Sequence, residues 1–264
     1  VSSTASIIDL SVWQLAMALV LVAAIIVVSV RQSLGLERDL AIGTVRAIVQ
    51  LYAVGLILAA VFAAARWYWI LLILGVMTGV ATQAAVSRLG KPLPGAAWIA
   101  AIALTVSTAA TLAYVIGVVV QVRPWYEPQY IIPIAGMILG NSMTSAALAG
   151  DRLQSDLRAR SDEIEARLAL GFSGREAVQP MVRASLRAAM IPTVNGMMTV
   201  GLVQLPGMMT GQILAGSSPL VAIRYQMVVV FMQGAATALG SLLFVRLAAG
   251  RYLTPAHQLR RYML

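Results

Sequence analysis

Side chains able to carry chemistry are few in this chain of 264 residues, and most stand outside its apolar runs. Cysteine is absent, which removes any disulfide framework, thiolate metal site or thiol nucleophile. All ten acidic residues lie outside the apolar runs, so no carboxylate within a run can relay protons or hold a hard cation. The one histidine, His257, belongs to the tail and reads as a solvated surface group. What remains inside the runs is thioether, amide and hydroxyl. Met137, Met143, Met197, Met198, Met208 and Met209 cluster in two stretches, where their sulfurs could touch a passing soft metal or simply fill irregular gaps. Asn141 is followed by Ser142, Thr144 and Ser145; Asn195 and Thr199 share a helical face; Gln204 precedes the helix-breaking pair Pro206 and Gly207. Polar groups in an apolar run must face protein or water, so Asn141 lines a path or bonds a neighbouring helix, and both readings stay open. The candidate path set is Met137, Asn141, Met143, Asn195, Thr199, Gln204, Pro206, Met208 and Met209. These are weak ligands, which suits release, and they fix no particular metal.

The elements that must position these groups are membrane spans. With 60% hydrophobic residues, 11% charged residues and a mean hydropathy of +0.85, the chain has more apolar surface than one soluble core could hide. Seven runs approach the roughly twenty residues that cross a bilayer: Val12–Val30, Ile48–Ala65, Tyr68–Val86, Ala97–Val120, Ile131–Leu148, Ile191–Leu214 and Met227–Ala248. The first reads as a span and not as a signal peptide, because basic residues follow it and no small-residue cleavage site does. The net charge of +9 follows topology, since no basic patch is interleaved with stacking aromatics as nucleic-acid binding would need. Sixteen basic residues fall on one side of the seven runs and three, Arg66, Arg123 and Arg224, on the other. That asymmetry predicts an outside N-terminus and a cytosolic C-terminus. Trp67, Tyr68, Trp69, Trp125, Tyr126 and Tyr130 then mark the outer interface. Arg46 shares a face with Gln50 and reads as a snorkelling interfacial arginine or as a contact at the cytosolic mouth.

Residues 150–190 form the longest polar interval, with seven of the nineteen basic residues. Leu153, Leu157, Ile164 and Leu168 repeat at helical spacing, which predicts that the fifth helix continues beyond the membrane. Arg158 with Asp162, Asp156 with Arg160 and Glu163 with Arg167 are spaced to pair along it. Gly171 supplies a stop, and Ser173 with Glu176 matches a capping box that opens a short helix ending near Pro180. Met181, Val182, Leu186 and Met190 oppose Arg183 and Arg187, which predicts an amphipathic helix at the membrane surface before re-entry at Pro192.

EARLALGFS, Glu165 to Ser173, resembles the cytoplasmic loop motif of ABC transporter permeases, although Arg167 stands where a second alanine is usual. A wider resemblance runs from about Leu34 to Leu259. LERDL, RAIVQL, IPIAGMILGNSM, LALG, SLRAAMIPTV, GLVQLPGMMTGQILAG and AIRYQMVVVFM are together similar to the FetB (YbbM) family. The resemblance implies the permease subunit of an iron-exporting ABC transporter, with plant relatives tied to aluminium tolerance. It implies an all-α integral membrane protein of a bacterial plasma membrane, forming one permease domain over 1–264 with a coupling segment at 150–190. It further implies a homodimer working with two copies of an ATP-binding subunit, with ATP and magnesium held there and no cofactor on this chain. No phosphate-loop motif occurs in the sequence, in keeping with that division of labour. Coupling to the ATPase would fall on Glu165, Gly171, Phe172, Ser173, Gly174, Arg175 and Glu176. Alternatives are a stand-alone channel or secondary carrier, an ABC permease for a non-metal solute such as a nucleotide sugar, and a membrane scaffold.

Overall fold

The computed structural model describes residues 11–64, 66–90, 93–254, 256 and 258–261; Lys91 and His257 lie outside the described residues. Within these the chain is helical, with two isolated backbone bridges and no strand. In chain order the helices are α1 (Val12–Arg31), α2 (Glu37–Ala64), α3 (Trp67–Val86), α4 (Ala96–Tyr114, continued by a π-helical turn over Val115–Val120), α5 (Pro128–Ala159), α6 (Ser161–Ala169), α7 (Gly174–Thr199), α8 (Gly207–Leu214) and α9 (Pro219–Arg251).

Six of them, α1 to α5 and α9, are long and apolar enough to cross a membrane. The expected sixth span, Ile191–Leu214, is not one helix. At Val200 the backbone turns extended (φ −60°, ψ 133°), and Gly201 takes a left-handed φ of +85° that favours glycine. The Thr199 carbonyl accepts from Val203 N at 3.0 Å, and Gly201 N donates to the Gln204 carbonyl at 3.0 Å, so a tight turn separates α7 from α8.

Two compact units are present. In the first, α1 and α2 form a hairpin whose turn is tied by Ser29. Its Oγ accepts from Leu36 N at 3.1 Å and donates to Glu37 at 3.2 Å, satisfying polar groups where one helix stops and the next starts. The outward faces of this hairpin are apolar, as a lipid-facing surface requires.

The second unit holds the core. Small residues on α4 (Ala100, Ala103), α5 (Ala146, Ala149) and α9 (Ala248) bring the helices together around Leu104, Phe244 and Val245. Gly150 lets these helices approach closely, since a Cβ would meet Phe244 Cε1 at 2.5 Å and Leu89 Cδ2 at 2.7 Å and force those side chains to shift. A Cβ on Gly95 would lie 3.6 Å from Arg251 Nη2, and one on Gly90 3.1 Å from Asp151 Oδ1. The C-terminal end of α3, the start of α4 and the C-terminal reaches of α5 and α9 therefore meet at one end, called here the basic end for its arginines. Consequently α5 and α9 run in the same direction, and the chain between them must return.

Beyond Gly150, α5 continues into the polar interval as its leucine spacing predicts, with Leu153, Leu157 and Ile164 of α6 buried. Two expectations are corrected. The helix breaks at Arg160 (φ −118°, ψ 26°), which rotates the acids of α6 away from α5. Arg160 therefore pairs with Glu163 at 2.7 Å instead of Asp156, Asp156 pairs with Arg152 at 3.1 Å, and Asp162 pairs with Arg261 instead of Arg158. Glu163–Arg167 forms at 2.9 Å as spaced. The second correction is α7, which runs unbroken through Pro180 and Pro192. Its first half packs Ala177, Val178, Met181 and Val182 into the protein core, where α5 and α6 supply Leu153, Leu157 and Ile164, so its apolar stripe is covered by protein and not by lipid headgroups.

Candidate functional site

Where the end of α7, the start of α8, α5 and α9 face one another, the second unit encloses a cavity of about 500 Å³. α5 supplies Met137, Asn141, Thr144 and Ser145; α7 supplies Pro192, Thr193, Gly196 and Met197; the turn and α8 supply Val200, Gln204, Pro206, Gly207 and Met208. α9 closes the wall with Gln226, Val230 and Gln233. No described lining residue is charged. The other large hollow, about 770 Å³ between α3 and α4, is lined by aliphatic, glycine, threonine and tryptophan side chains and holds no amide.

The cavity forms because the helices around it are interrupted or thinned. Pro192 has no N–H for the Ala188 carbonyl, and Gly196 removes bulk from the face of α7 that turns inward. Asn141 Nδ2 donates to the Met137 carbonyl at 2.9 Å and Thr144 Oγ1 to the Gly140 carbonyl at 3.0 Å, bonds local to α5 that leave Asn141 Oδ1 to the cavity. Gln226 is only 7% exposed, and its Oε1 has no hydrogen-bond partner. A buried amide oxygen left unpaired costs about 1–3 kcal/mol, so a lining position for it is informative.

Of the candidate path residues, Met137, Asn141, Gln204, Pro206 and Met208 come together in this cavity. Met143 packs against the core. Asn195, Thr199 and Met209 do not line it; Thr199 instead donates its hydroxyl to the Asn195 carbonyl at 2.9 Å and accepts the turn's N–H groups on its own carbonyl. Sequence reasoning missed Gln226 and Gln233. Their seven-residue spacing puts two amides on one face of an otherwise apolar run, a signal that was available.

At the basic end, the turn between α6 and α7 holds the residues expected to contact an ATPase. Gly171 takes φ +90°, and the helix behind it closes with Phe172 N donating to the Arg167 carbonyl at 3.2 Å. The capping box is complete: Ser173 N donates to Glu176 Oε2 at 2.9 Å, and Glu176 N donates to Ser173 Oγ at 3.4 Å. Leu170 is 77% exposed and Phe172 47%, beside exposed Arg175, whereas Gly174 is buried. Glu165 is engaged within the chain, accepting from Arg261 Nη2 at 2.7 Å, while Asp162 accepts from the same guanidinium at 2.6 Å. Those carboxylates hold the Arg261 pKa above its ordinary value, Glu165 most strongly.

A family model described as "Uncharacterised protein family (UPF0014)" matches residues 12–253. The chain belongs to the UPF0014 family. It is 45% identical over 204 residues to the UPF0014 membrane protein slr1647 of Synechocystis, covering 76% of this chain and 78% of that one. It is 36% identical to the "Probable iron export permease protein FetB" of Escherichia coli, covering 93% of each. With the protein ALUMINUM SENSITIVE 3 of Arabidopsis thaliana it shares 34% identity over 94% of this chain and 89% of that protein. No solved structure gives a significant match. This UPF0014 member is thus a helical, multi-pass membrane protein whose second unit holds a cavity without charged lining residues.

Proposed function

We propose that this chain is the membrane permease subunit of an ABC-type exporter of a metal such as iron, resident in a bacterial plasma membrane. In this reading it forms a homodimer with two copies of an ATP-binding subunit, which hold ATP and magnesium. The observation that carries the proposal is the continuity of α7. One helix of 26 residues, about 39 Å at 1.5 Å per residue, joins the capped turn at Ser173 to the cavity wall at Thr193, Gly196 and Met197. A push on the exposed Leu170–Phe172 tip is delivered to the cavity by a single rod. The E. coli relative's name, as a permease for iron export, supports the same assignment.

The parallel run of α5 and α9 supports seven crossings, with the end of α7, the turn and α8 forming the return. The basic end is then cytosolic and the N-terminus outside, so that the α6–α7 turn faces the ATPase. A cavity without lysine or arginine favours this cargo over a nucleotide sugar, whose phosphates call for cationic partners. The test is co-purification with a cognate ATP-binding subunit. Phe172→Asp is expected to abolish association and cargo-stimulated ATP hydrolysis, and Gly171→Val to weaken both; unchanged association in both variants would remove the coupling role. Transport in liposomes containing this chain alone would favour a channel or carrier.

A further inference from the structure

The donor set of the cavity says in what form its cargo travels. We infer, resting on the permease reading above, that the cavity takes a metal ion only inside an uncharged complex whose own ligands fill the coordination shell.

Four amide side chains dominate the polar lining, Asn141, Gln204, Gln226 and Gln233, and no carboxylate, imidazole or thiol stands among them. Among the described residues no group of three histidine, cysteine or acidic side chains exists anywhere that could hold an ion. A bare divalent cation would exchange its hydration shell for neutral amide, hydroxyl, thioether and backbone groups, with no charged side chain to offset a desolvation penalty of several kcal/mol or more. An amide side chain also carries an NH₂ group with two donors, which repels a cation but can bond the coordinated oxygens of a complex; Asn141, whose NH₂ is taken by the Met137 carbonyl, offers its Oδ1 instead. Gln226 Oε1 is buried and unpartnered in the cavity wall, so a rotation of that side chain towards a ligand hydroxyl would satisfy it. At about 500 Å³ the volume suits a small organic complex and far exceeds one ion. The thioethers of Met137, Met197 and Met208 complete the surface as soft, apolar contacts for a ligand's carbon face.

The experiment titrates the purified chain in lipid nanodiscs with gallium(III) tris-kojate, an uncharged, redox-inert complex bearing hydroxymethyl donors and ring-oxygen acceptors. Aqueous Mn²⁺ in a non-coordinating buffer is titrated in parallel. The complex is expected to bind saturably, and to bind roughly tenfold more weakly to Gln226→Leu and to Gln233→Leu, the loss of one well-placed hydrogen bond. Aqueous Mn²⁺ is expected to show no saturable binding to the parent and to gain it in Gln226→Glu, which keeps the shape and adds a charge. Saturable Mn²⁺ binding to the parent overturns the inference, as does complex binding that both leucine variants leave unchanged, or no binding of the complex. If Gln226→Leu fails to give monodisperse protein, Gln233→Leu decides. The titration uses no ATP-binding subunit, so its failure is separable from a failure of co-purification, which alone would sink the permease reading.

Discussion

At the scale of single residues, the polar interval is held by charge pairs that sequence spacing only partly foretold. Glu163 accepts from Arg160 at 2.7 and 2.8 Å and from Arg167 at 2.9 Å. The hydrogen bonds from Arg160, then Arg167, hold its carboxyl below the ordinary carboxylate range. A depressed folded-state pKa contributes stability that is fully present above the ordinary carboxylate range and lost as pH falls through the depressed value. Thermal unfolding followed from neutral to acid pH should therefore show an acid limb that Glu163→Gln flattens by lowering stability at neutral pH and not in acid, a small effect because the pair is exposed. Arg261 is argued differently, since it ties the tail to α6 across 96 residues to Glu165. Arg261→Ala should speed hydrogen exchange selectively in Ser161–Ala169; unchanged exchange there would mean that the contact holds nothing. Spacing rules see partners three or four residues apart, so Glu163–Arg167 was legible and Arg261 was not.

At the scale of elements, glycines and prolines decide most of what happens. Ser173→Ala removes half of a complete capping box and should lower stability by about 1 kcal/mol, read as a reduced Tm in detergent. Gly150→Val should cost about 1–3 kcal/mol by forcing α5 from α9, and Phe244→Leu in the same chain should recover part of it by withdrawing the ring that the new side chain meets. Pro180 and Pro192 read from sequence as helix ends, because local rules price a lost backbone bond without crediting the packing that offsets it. Ala177, Met181 and Ala189 of α7 are fully buried, and that burial carries the helix through both prolines. Replacing Pro192 with Ala is expected to stabilise the protein, by at most about 3 kcal/mol, while slowing cargo-stimulated ATP hydrolysis with the partner subunit. Faster hydrolysis would argue that the backbone hydrogen bond missing at Pro192 plays no part in coupling.

At the scale of the whole molecule, apolar run length located the six long apolar helices but not the 26-residue α7, and the leucine pattern located the extension of α5. The cavity was half legible: Met137, Asn141, Gln204, Pro206 and Met208 announce themselves as polar, soft or helix-breaking residues in apolar surroundings. Gln233 was absorbed into a run whose mean hydropathy hides it, Gln226 stood just before that run, and which face an amide turns to is a tertiary fact. Since the sequence holds no cysteine, single substitutions report topology without background. With seven crossings, Ser173→Cys and Ser217→Cys should react with an impermeant maleimide from opposite sides of oriented vesicles, cytosolic for the first and outside for the second. Labelling of both from one side would return the count to an arrangement without the α7–α8 crossing.

The turn from Val200 to Pro206 has one more consequence. A helix that stops and another that begins at the same place present opposite partial charges there, about half an electron each: negative where the carbonyls of α7 end, positive where the N–H groups of α8 begin. Both ends border the cavity, whose field is therefore polarised along the return path without carrying net charge. An uncharged cargo with a dipole moment of its own would be held there in one orientation and face its exit in a set sense.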